Sequence, residues 1–246
     1  MRMRYAGTRK TSRRKMSYQK VVIDMNNYIC IFCNERKPAE TAETISGKIG
    51  LCRNCSAKLS RTSYSLPYHG TEHISYIMSP FEYTGIIKSP IIDFKFHNCR
   101  AYAPLFAAMM TDYLGSYNIW NDFDCIIPVP LHKNRLKERG YNQSELIASH
   151  ISNYLGLPLM TDAVIRKRAT KRQSMLRKAE RVNNVKNAFE CTRNLSGERI
   201  LLFDDICTTG STLEACASAL IAANVKYICA LTLAIYVEQK LSIITY

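Results

Sequence analysis

The residues best suited to chemistry are concentrated in one stretch, LLFDDICTTGST, at positions 201–212. An apolar run leads directly into two carboxylates, Asp204 and Asp205, and hydroxyl side chains and a glycine follow. Carboxylates accept hydrogen bonds from vicinal diols, as the acidic residue after a Rossmann strand does with ribose. Free backbone N–H groups at a helix N-terminus bind anions such as phosphate. A diol next to a phosphate describes a ribose 5-phosphate, which is the ligand that this stretch predicts.

The phosphate half of the stretch is expected to combine a loop with the first turn of a helix. Hydroxyl donors and a glycine that allows close backbone approach form this cradle: Thr208, Thr209, Gly210, Ser211 and Thr212. A Walker B strand would also end in two acids, but it requires a G-x4-GK-[ST] partner. Gly47-Lys48 is followed by Ile49, so the ATPase interpretation fails. A capped helix after an acidic turn remains the alternative without a ligand.

Four cysteines near the N-terminus form two Cys-x2-Cys pairs, Cys30 with Cys33 and Cys52 with Cys55. Each pair directs two thiolates at one point, and two pairs complete the tetrahedron that structural Zn²⁺ prefers. Four soft sulfur ligands suit zinc better than magnesium or calcium, and an iron–sulfur centre is the alternative. Because the protein supplies all four ligands, the metal is expected to hold structure rather than to catalyse.

The composition is that of a globular protein with an unusually basic surface. Its formal charge of +14 and pI near 9.4 favour contact with phosphates of nucleic acids, nucleotides or membranes, although a basic surface can also bind nothing. Residues 1–20 carry many basic residues and no acid, which predicts a basic flexible tail. No signal peptide or membrane span is recognisable, since the best apolar segment, 215–237, contains Lys226. We therefore expect a cytoplasmic protein.

Strand and helix signals alternate through the rest of the chain. The predicted elements are helices at 101–114, 142–155 and 211–223 and strands at 124–130, near 161–166, at 198–203 and at 227–237. Short continuous apolar runs are typical of strands that are buried on both faces. This alternation predicts an α/β fold whose sheet is mainly parallel, with ligands at the carboxyl ends of the strands.

Residues 200–212 resemble the phosphoribosyl pyrophosphate (PRPP) signature of type I phosphoribosyltransferases. Four apolar residues, two acids and two further positions precede a hydroxyl-rich loop, and the sequence departs from the pattern only at Cys207, where an aliphatic residue is usual. The resemblance implies that Asp204 and Asp205 are the catalytic carboxylates that hold the ribose hydroxyls. It also implies that the loop holds the 5-phosphate and that Mg²⁺ accompanies PRPP.

Five motifs in order resemble the ComF family of competence-associated proteins. They are the two cysteine pairs, YTGIIKSPIIDFKF, IIPVPLHKNRLKERGYNQ, RKRATKRQSMLRKAERVNNVKNAF and the PRPP loop, and they cover about residues 30–236. The resemblance implies a type I phosphoribosyltransferase fold, with a central mainly parallel sheet flanked by helices and a small N-terminal zinc-binding module. The implied segments are the tail at 1–20, a four-cysteine zinc-binding module at 21–75 and a phosphoribosyltransferase-like domain at 76–246.

The same resemblance implies further ligand contacts. The turn after IIPVP corresponds to the loop that binds pyrophosphate: Val129, Pro130, Leu131, His132, Lys133 and Arg135. The RGYNQ motif contributes Arg139, Asn142 and Gln143. Further basic and polar residues lie on or near a mobile loop that covers the active site: Arg166, Arg168, Lys171, Arg172, Gln173 and Arg181.

Two functions of different classes remain open. The resemblance implies an accessory protein of DNA uptake in natural transformation, which handles single-stranded DNA beside other competence proteins. Residues 131–181 agree with this, because they hold 12 Lys and Arg against 4 Asp and Glu and so favour phosphate contacts. Nearby aromatic residues are either base-stacking platforms or core: Tyr83, Phe94, Phe96 and Tyr141. The alternative is an active phosphoribosyltransferase, which transfers ribose 5-phosphate from PRPP to an acceptor.

The metal prediction can be tested directly. Metal analysis of the purified protein should find close to one zinc ion per chain, because the paired spacing supplies four thiolates. Replacement of Cys52 and Cys55 together by serine should abolish zinc binding, and retention of the zinc in that variant would contradict the assignment.

Overall fold

The computed structural model describes most of the chain. The described residues are 22–24, 27–45, 48–62, 68–69, 71–115, 122–169, 185 and 187–237. Several residues predicted from the sequence to contact ligand lie outside these ranges, together with the tail at 1–20: Lys171, Arg172, Gln173 and Arg181.

The N-terminal region consists of short strands around the four cysteines. Its elements are β1 (Val22–Asp24), β2 (Asn27–Ile29), β3 (Arg36–Pro38), β4 (Ala42–Ile45), β5 (Lys48–Cys52) and α1 (Arg53–Ser56). Strands β1, β2 and β3 form an antiparallel sheet, and β4 pairs with β5. Phe32 and Leu51 of this region belong to the same apolar core as Phe106 and Met110 further along the chain, so the region packs directly on the rest of the fold.

The largest sheet in the described part of the chain has six strands, and its centre is parallel. They are β6 (Tyr68–His69), β7 (Tyr76–Met78), β8 (Phe81–Glu82), β9 (Cys125–Pro128), β12 (Arg199–Cys207) and β13 (Tyr227–Ile235), whereas β10 (Val164–Arg166) and β11 (Phe189–Cys191) form a separate antiparallel pair. The spatial order is β6-β7-β13-β12-β9, and β8 also pairs with β13. Since β7, β13, β12 and β9 are parallel, the carboxyl ends of β9 and β12 meet at one edge.

Two apolar layers cover the two faces of this sheet. The helices are α2 (Lys88–Phe96), α3 (Ala103–Gly115), α4 (Lys133–Arg139), α5 (Gln143–Leu155) and α6 (Ser211–Ile221). Residues of α2, α3 and α5 pack with Leu201 and Phe203 of β12, whereas α6, β10 and β11 pack with Ile200 and Leu202. This division follows from the alternation of side chains along a strand. None of the described helices combines the length and apolar character that a membrane crossing requires.

The expected mainly parallel α/β fold is confirmed, but one predicted boundary was wrong. The sequence placed the end of the strand at Phe203, whereas β12 continues to Cys207. The reason is that pairing with β13 persists beyond the apolar run, with Asp204 opposite Thr232 and Cys207 opposite Ile235. Asp204 and Asp205 therefore lie inside a paired strand rather than in the loop after it.

Candidate functional site

The candidate site lies at the carboxyl ends of β9 and β12. Strand β9 ends at Pro128, opposite Phe203, whereas β12 continues to Cys207. The backbone N–H of Val129, the first residue after β9, donates to the carbonyl of Phe203 in β12 at 2.8 Å. The loop after β9, which leads into α4, and the loop after β12, which leads into α6, therefore leave the sheet at the same end. This edge brings together the two segments that the sequence assigned to pyrophosphate and to the 5-phosphate.

Asp204 is held by a hydrogen-bond donor from the start of α5. Its Oδ1 accepts from the hydroxyl of Ser144 at 2.8 Å and from the backbone N–H of Asp205 at 2.9 Å. Burial of the carboxyl group, reinforced by repulsion from Asp205, raises the pKa of Asp204 to about 6. A carboxyl group with this pKa changes its protonation state close to physiological pH.

Asp205 makes an ion pair with Lys95 near the end of α2. The Nζ of Lys95 lies 2.7 Å from Oδ1 of Asp205, and both side chains are largely shielded from solvent. The two adjacent carboxylates therefore contact different helices, although α2 and α5 cover the same face of the sheet. Neither Lys95 nor Ser144 is among the site residues predicted from the sequence. A lone lysine between Phe94 and Phe96 was the available signal.

The hydroxyl-rich loop is shaped by Gly210 at the start of α6. Gly210 has a φ of +71°, in the left-handed region that favours glycine. The hydroxyls of Thr209 and Ser211 lie 2.7 Å apart, and the backbone N–H of Ser211 points to the Thr209 hydroxyl at 3.5 Å. Thr208 and Thr212 are half-buried at the same end of the helix. Backbone and hydroxyl donors therefore converge at the N-terminus of an 11-residue helix, an arrangement that can hold a phosphate.

The loop after β9 is fixed in place by Asn142 of the RGYNQ motif. Its side-chain amide donates to the carbonyl of Val129 at 3.1 Å, and its Oδ1 accepts from the backbone N–H of Ser144 at 3.2 Å. Asn142 therefore caps α5 and anchors the loop with the same side chain. His132 is buried and caps α4 through Nδ1, which accepts from a backbone N–H at 3.3 Å.

The remaining residues of this loop differ in exposure. Pro130 and Leu131 are half-buried, Lys133 is exposed and Arg135 is half-buried. Lys133 and Arg135 therefore place two cations at the first turn of α4, directly after the loop that Asn142 anchors.

Arg166 brings a buried positive charge to the same region. It is the last residue of β10, is 8% exposed, and its guanidinium lies 5.1 Å from the ring centre of Phe189. Burial, with repulsion from Arg135, lowers the pKa of Arg166 to about 10, while attraction to Asp204 opposes this change. Arg166, Arg135 and Asp204 therefore share one electrostatic environment. Arg168, two residues further on, is exposed.

The RGYNQ motif also packs on α2, which carries Lys95. The hydroxyl of Tyr141 donates to the carbonyl of Phe94, and Arg139 donates to the side-chain oxygen of Gln143. The Arg139 guanidinium lies 5.0 Å from the ring centre of Phe96. The helix that neutralises Asp205 is thereby tied to the motif that anchors the loop after β9.

The four cysteines of the two Cys-x2-Cys pairs meet in space. Their sulfur atoms lie within 4.8 Å of one another, and Cys30, Cys52 and Cys55 are buried. The backbone N–H of Cys52 points to the sulfur of Cys30 at 3.4 Å. Asn34, just after the first pair, adopts a left-handed φ of 58° that closes the turn. Four convergent thiols fit a structural zinc ion.

Comparison with known proteins agrees with this geometry. Residues 142–241 match the family model described as a phosphoribosyl transferase domain. The parallel sheet, the acidic strand end and the hydroxyl-rich loop thus belong to a domain of the type I phosphoribosyltransferase fold.

Three proteins with known names are similar to parts of this chain. The DNA utilization protein YhgH of Shigella flexneri is 39% identical over 109 residues, which cover 43% of this chain and 48% of that protein. Competence protein F of Haemophilus influenzae is 39% identical over 94 residues, covering 37% of this chain and 41% of that protein. Competence protein ComFC of Bacillus subtilis is 29% identical over 178 residues, covering 70% of this chain and 66% of that protein.

These comparisons confirm the resemblance predicted from the motifs. The chain is similar to proteins named competence protein F and ComFC, and residues 142–241 carry a phosphoribosyl transferase domain. It spans about half the length of the relatives that match it over 109 residues.

The raised pKa of Asp204 predicts that this residue destabilises the fold at neutral pH. The pKa of Asp204 is about 6 in the folded protein and 3.8 ordinarily, so the folded protein holds this proton more tightly than the unfolded chain. The resulting contribution to the free energy of unfolding is fully present below pH 3.8 and is lost as the pH rises through 6. Asp204→Asn keeps an acceptor for Ser144 and removes the charge. We expect it to raise the free energy of unfolding by about 1–3 kcal/mol at pH 7.

Urea denaturation at pH 7 and pH 4 measures this difference. The advantage of Asp204→Asn should shrink at pH 4, where the wild-type carboxyl group is largely protonated. An exposed carboxylate, Asp112, provides the control, because Asp112→Asn should change stability little at either pH. A large loss of stability in Asp204→Asn at pH 7 would contradict this electrostatic description.

Proposed function

We propose that the protein is an accessory factor of DNA uptake that binds single-stranded DNA on the surface formed by α2 and α4. It also carries a PRPP-type ribose-phosphate site, with Mg²⁺, at the edge of the sheet. The observation that carries the proposal is the exposed ring of Phe96, which lies beside the guanidinium of Arg139. It agrees with the names of similar proteins, which refer to competence and DNA utilization. The location that we infer is the cytoplasm, where such a factor would meet incoming DNA.

Phe96 is the residue best placed to stack a base. Of the four aromatic residues that the sequence offered, Phe94 and Tyr141 are buried, Tyr83 is half-buried, and Phe96 is 52% exposed. Arg139 lies over the Phe96 ring at 5.0 Å. Aromatic rings combined with arginine bind bases without regard to sequence, because every base presents a π-face.

The helix next to Phe96 supplies charge that complements a phosphate backbone. Along α4, the sequence KNRLKER carries four cations and one acid, and Lys133 and Lys137 are exposed. Such a surface gains affinity by releasing counterions from the nucleic acid. The 1–20 tail and the basic residues that follow Arg168 extend this charge along the sequence.

The sheet edge supports the ribose-phosphate part of the proposal. Asp204 and Asp205 would accept hydrogen bonds from the ribose hydroxyls, the Thr208–Thr212 segment would hold the 5-phosphate, and Lys133 and Arg135 would face the pyrophosphate. Carboxylate oxygens are hard ligands that suit Mg²⁺. When bound, Mg²⁺ would neutralise part of the pyrophosphate charge.

An active phosphoribosyltransferase is the second candidate function. The observation in its favour is Asp204, whose pKa of about 6 would allow the carboxyl group to exchange a proton during transfer at neutral pH. Transfer would break the bond between C1′ and the pyrophosphate oxygen, and an acceptor would form the new bond to C1′. Lys133 and Arg135 would stabilise the negative charge on the departing pyrophosphate.

The DNA proposal predicts different effects for two substitutions. Phe96→Ala should weaken single-stranded DNA binding by roughly fivefold or more, because stacking contributes about 1–3 kcal/mol per base. The salt dependence should stay unchanged, since no phosphate contact is lost. Lys137→Glu should lower both affinity and the magnitude of the log–log salt slope, by about 0.7 for each phosphate contact. Fluorescence anisotropy with a mixed-sequence oligonucleotide at several salt concentrations measures both quantities.

Matched controls lie elsewhere on the surface. Tyr154 in α5 is 62% exposed and Lys226 precedes β13 at the opposite end of the sheet, so Tyr154→Ala and Lys226→Glu should leave binding nearly unchanged. Equal losses in Phe96→Ala and Tyr154→Ala would exclude the α2–α4 surface. Pyrophosphate release from PRPP with a free base, without DNA binding near physiological salt, would favour the enzyme instead.

A further inference from the structure

A second group of metal-ligating side chains lies away from the four cysteines. Glu72 and His73 precede β7, and Glu214 belongs to the first turn of α6, yet their ligand atoms lie within 4.8 Å of one another. Glu72 is exposed, whereas His73 and Glu214 are half-buried. Two segments more than a hundred residues apart are thus joined through one imidazole and two carboxylates.

Glu214 is already oriented for coordination by one of its two oxygens. Its Oε2 accepts from the backbone N–H of His73 at 3.3 Å and from the hydroxyl of Thr71. Its Oε1 accepts a hydrogen bond from Nδ1 of His73. Hydrogen bonds to the second oxygen of a carboxylate are the usual way in which proteins fix a metal ligand, so Thr71 and the His73 backbone provide outer-shell support.

The donor set defines which ions would bind. A carboxylate oxygen only accepts hydrogen bonds, so without metal the ring proton of His73 lies on Nδ1 and is donated to Oε1 of Glu214. A metal ion between these two atoms would displace that proton, and the neutral imidazole would then carry its proton on Nε2 and coordinate through Nδ1. One imidazole nitrogen with two carboxylate oxygens suits first-row divalent ions such as Mn²⁺, Co²⁺ and Zn²⁺, rather than the soft ions that an all-sulfur site selects. Glu72, at the surface, would supply the third protein ligand, and water molecules would supply the remaining ligands of the metal ion.

We propose that Glu72, His73 and Glu214 form a second divalent-metal site, independent of the four-cysteine centre and of the ribose-phosphate proposal. The site joins the segment before β7 to the first turn of α6. Thr71 also approaches the 5-phosphate loop, since its Cγ2 lies 3.6 Å from where a Cβ on Gly210 would stand. Metal at this site would therefore brace the helix turn that directly follows the loop.

Titration of the full-length, zinc-loaded protein with Co²⁺ tests the site. Co²⁺ bound by nitrogen and oxygen gives weak visible bands without the intense thiolate charge-transfer absorption of a sulfur site, so the two centres can be separated spectroscopically. Wild type should bind one Co²⁺ per chain with these weak bands. His73→Ala should weaken binding at least about tenfold, because loss of an outer-shell partner alone typically costs about 10- to 100-fold.

Two further variants guard against a purely structural effect. Glu72→Gln leaves the hydrogen bonds of Glu214 intact and should still weaken Co²⁺ binding several-fold. His97→Ala is the matched control, because His97 pairs only with Asp93, at 2.7 Å, in a histidine–carboxylate pair that has no third ligand in the described part of the chain. It should not change the titration. Absence of a Co²⁺ signal in wild type, or undiminished binding in His73→Ala, would overturn the proposal.

Discussion

Two adjacent carboxylates in a paired strand impose the constraint on which the rest of the site depends. Burial disfavours the charge of Asp204, and repulsion from Asp205 adds to the cost. One cation and one hydroxyl compensate these charges, because Lys95 pairs with Asp205 and Ser144 donates to Asp204. Because these partners belong to different helices, the carboxylates require α2 and the N-terminus of α5 to converge on the end of β12.

This requirement explains why motifs far apart in the sequence meet. The turn before α5 contains Asn142, which anchors the loop after β9, and Tyr141, whose hydroxyl holds the carbonyl of Phe94 beside Lys95. Charge neutralisation and loop placement are therefore parts of one contact network. The energetic penalty that remains on Asp204 is typical of a site built to meet a ligand rather than to stabilise the fold.

The sequence predicted those features that follow from local pattern. Short apolar runs predicted the parallel strands, and the spacing of the two cysteine pairs predicted that the four cysteines converge in space. The end of β12 was misjudged because backbone pairing with β13 continues through Asp204, although its side chain is polar. Lys95 and Ser144 were missed because their roles depend on tertiary contacts with β12. The exposure of Phe96 beside buried Phe94 could not be decided from an aromatic pair in a short helix.

We propose that the end of β12 holds a ribose phosphate, and calorimetric titration with PRPP and Mg²⁺ tests this most directly. Wild type should bind, whereas Asp204→Asn combined with Asp205→Asn should bind at least about tenfold more weakly, because a hydrogen bond to a charged group typically contributes about 1.5–3 kcal/mol. An unchanged far-ultraviolet circular dichroism spectrum would show that the double variant is folded. Absence of PRPP binding by wild type at millimolar ligand, or equal affinity of the two proteins, would contradict the account.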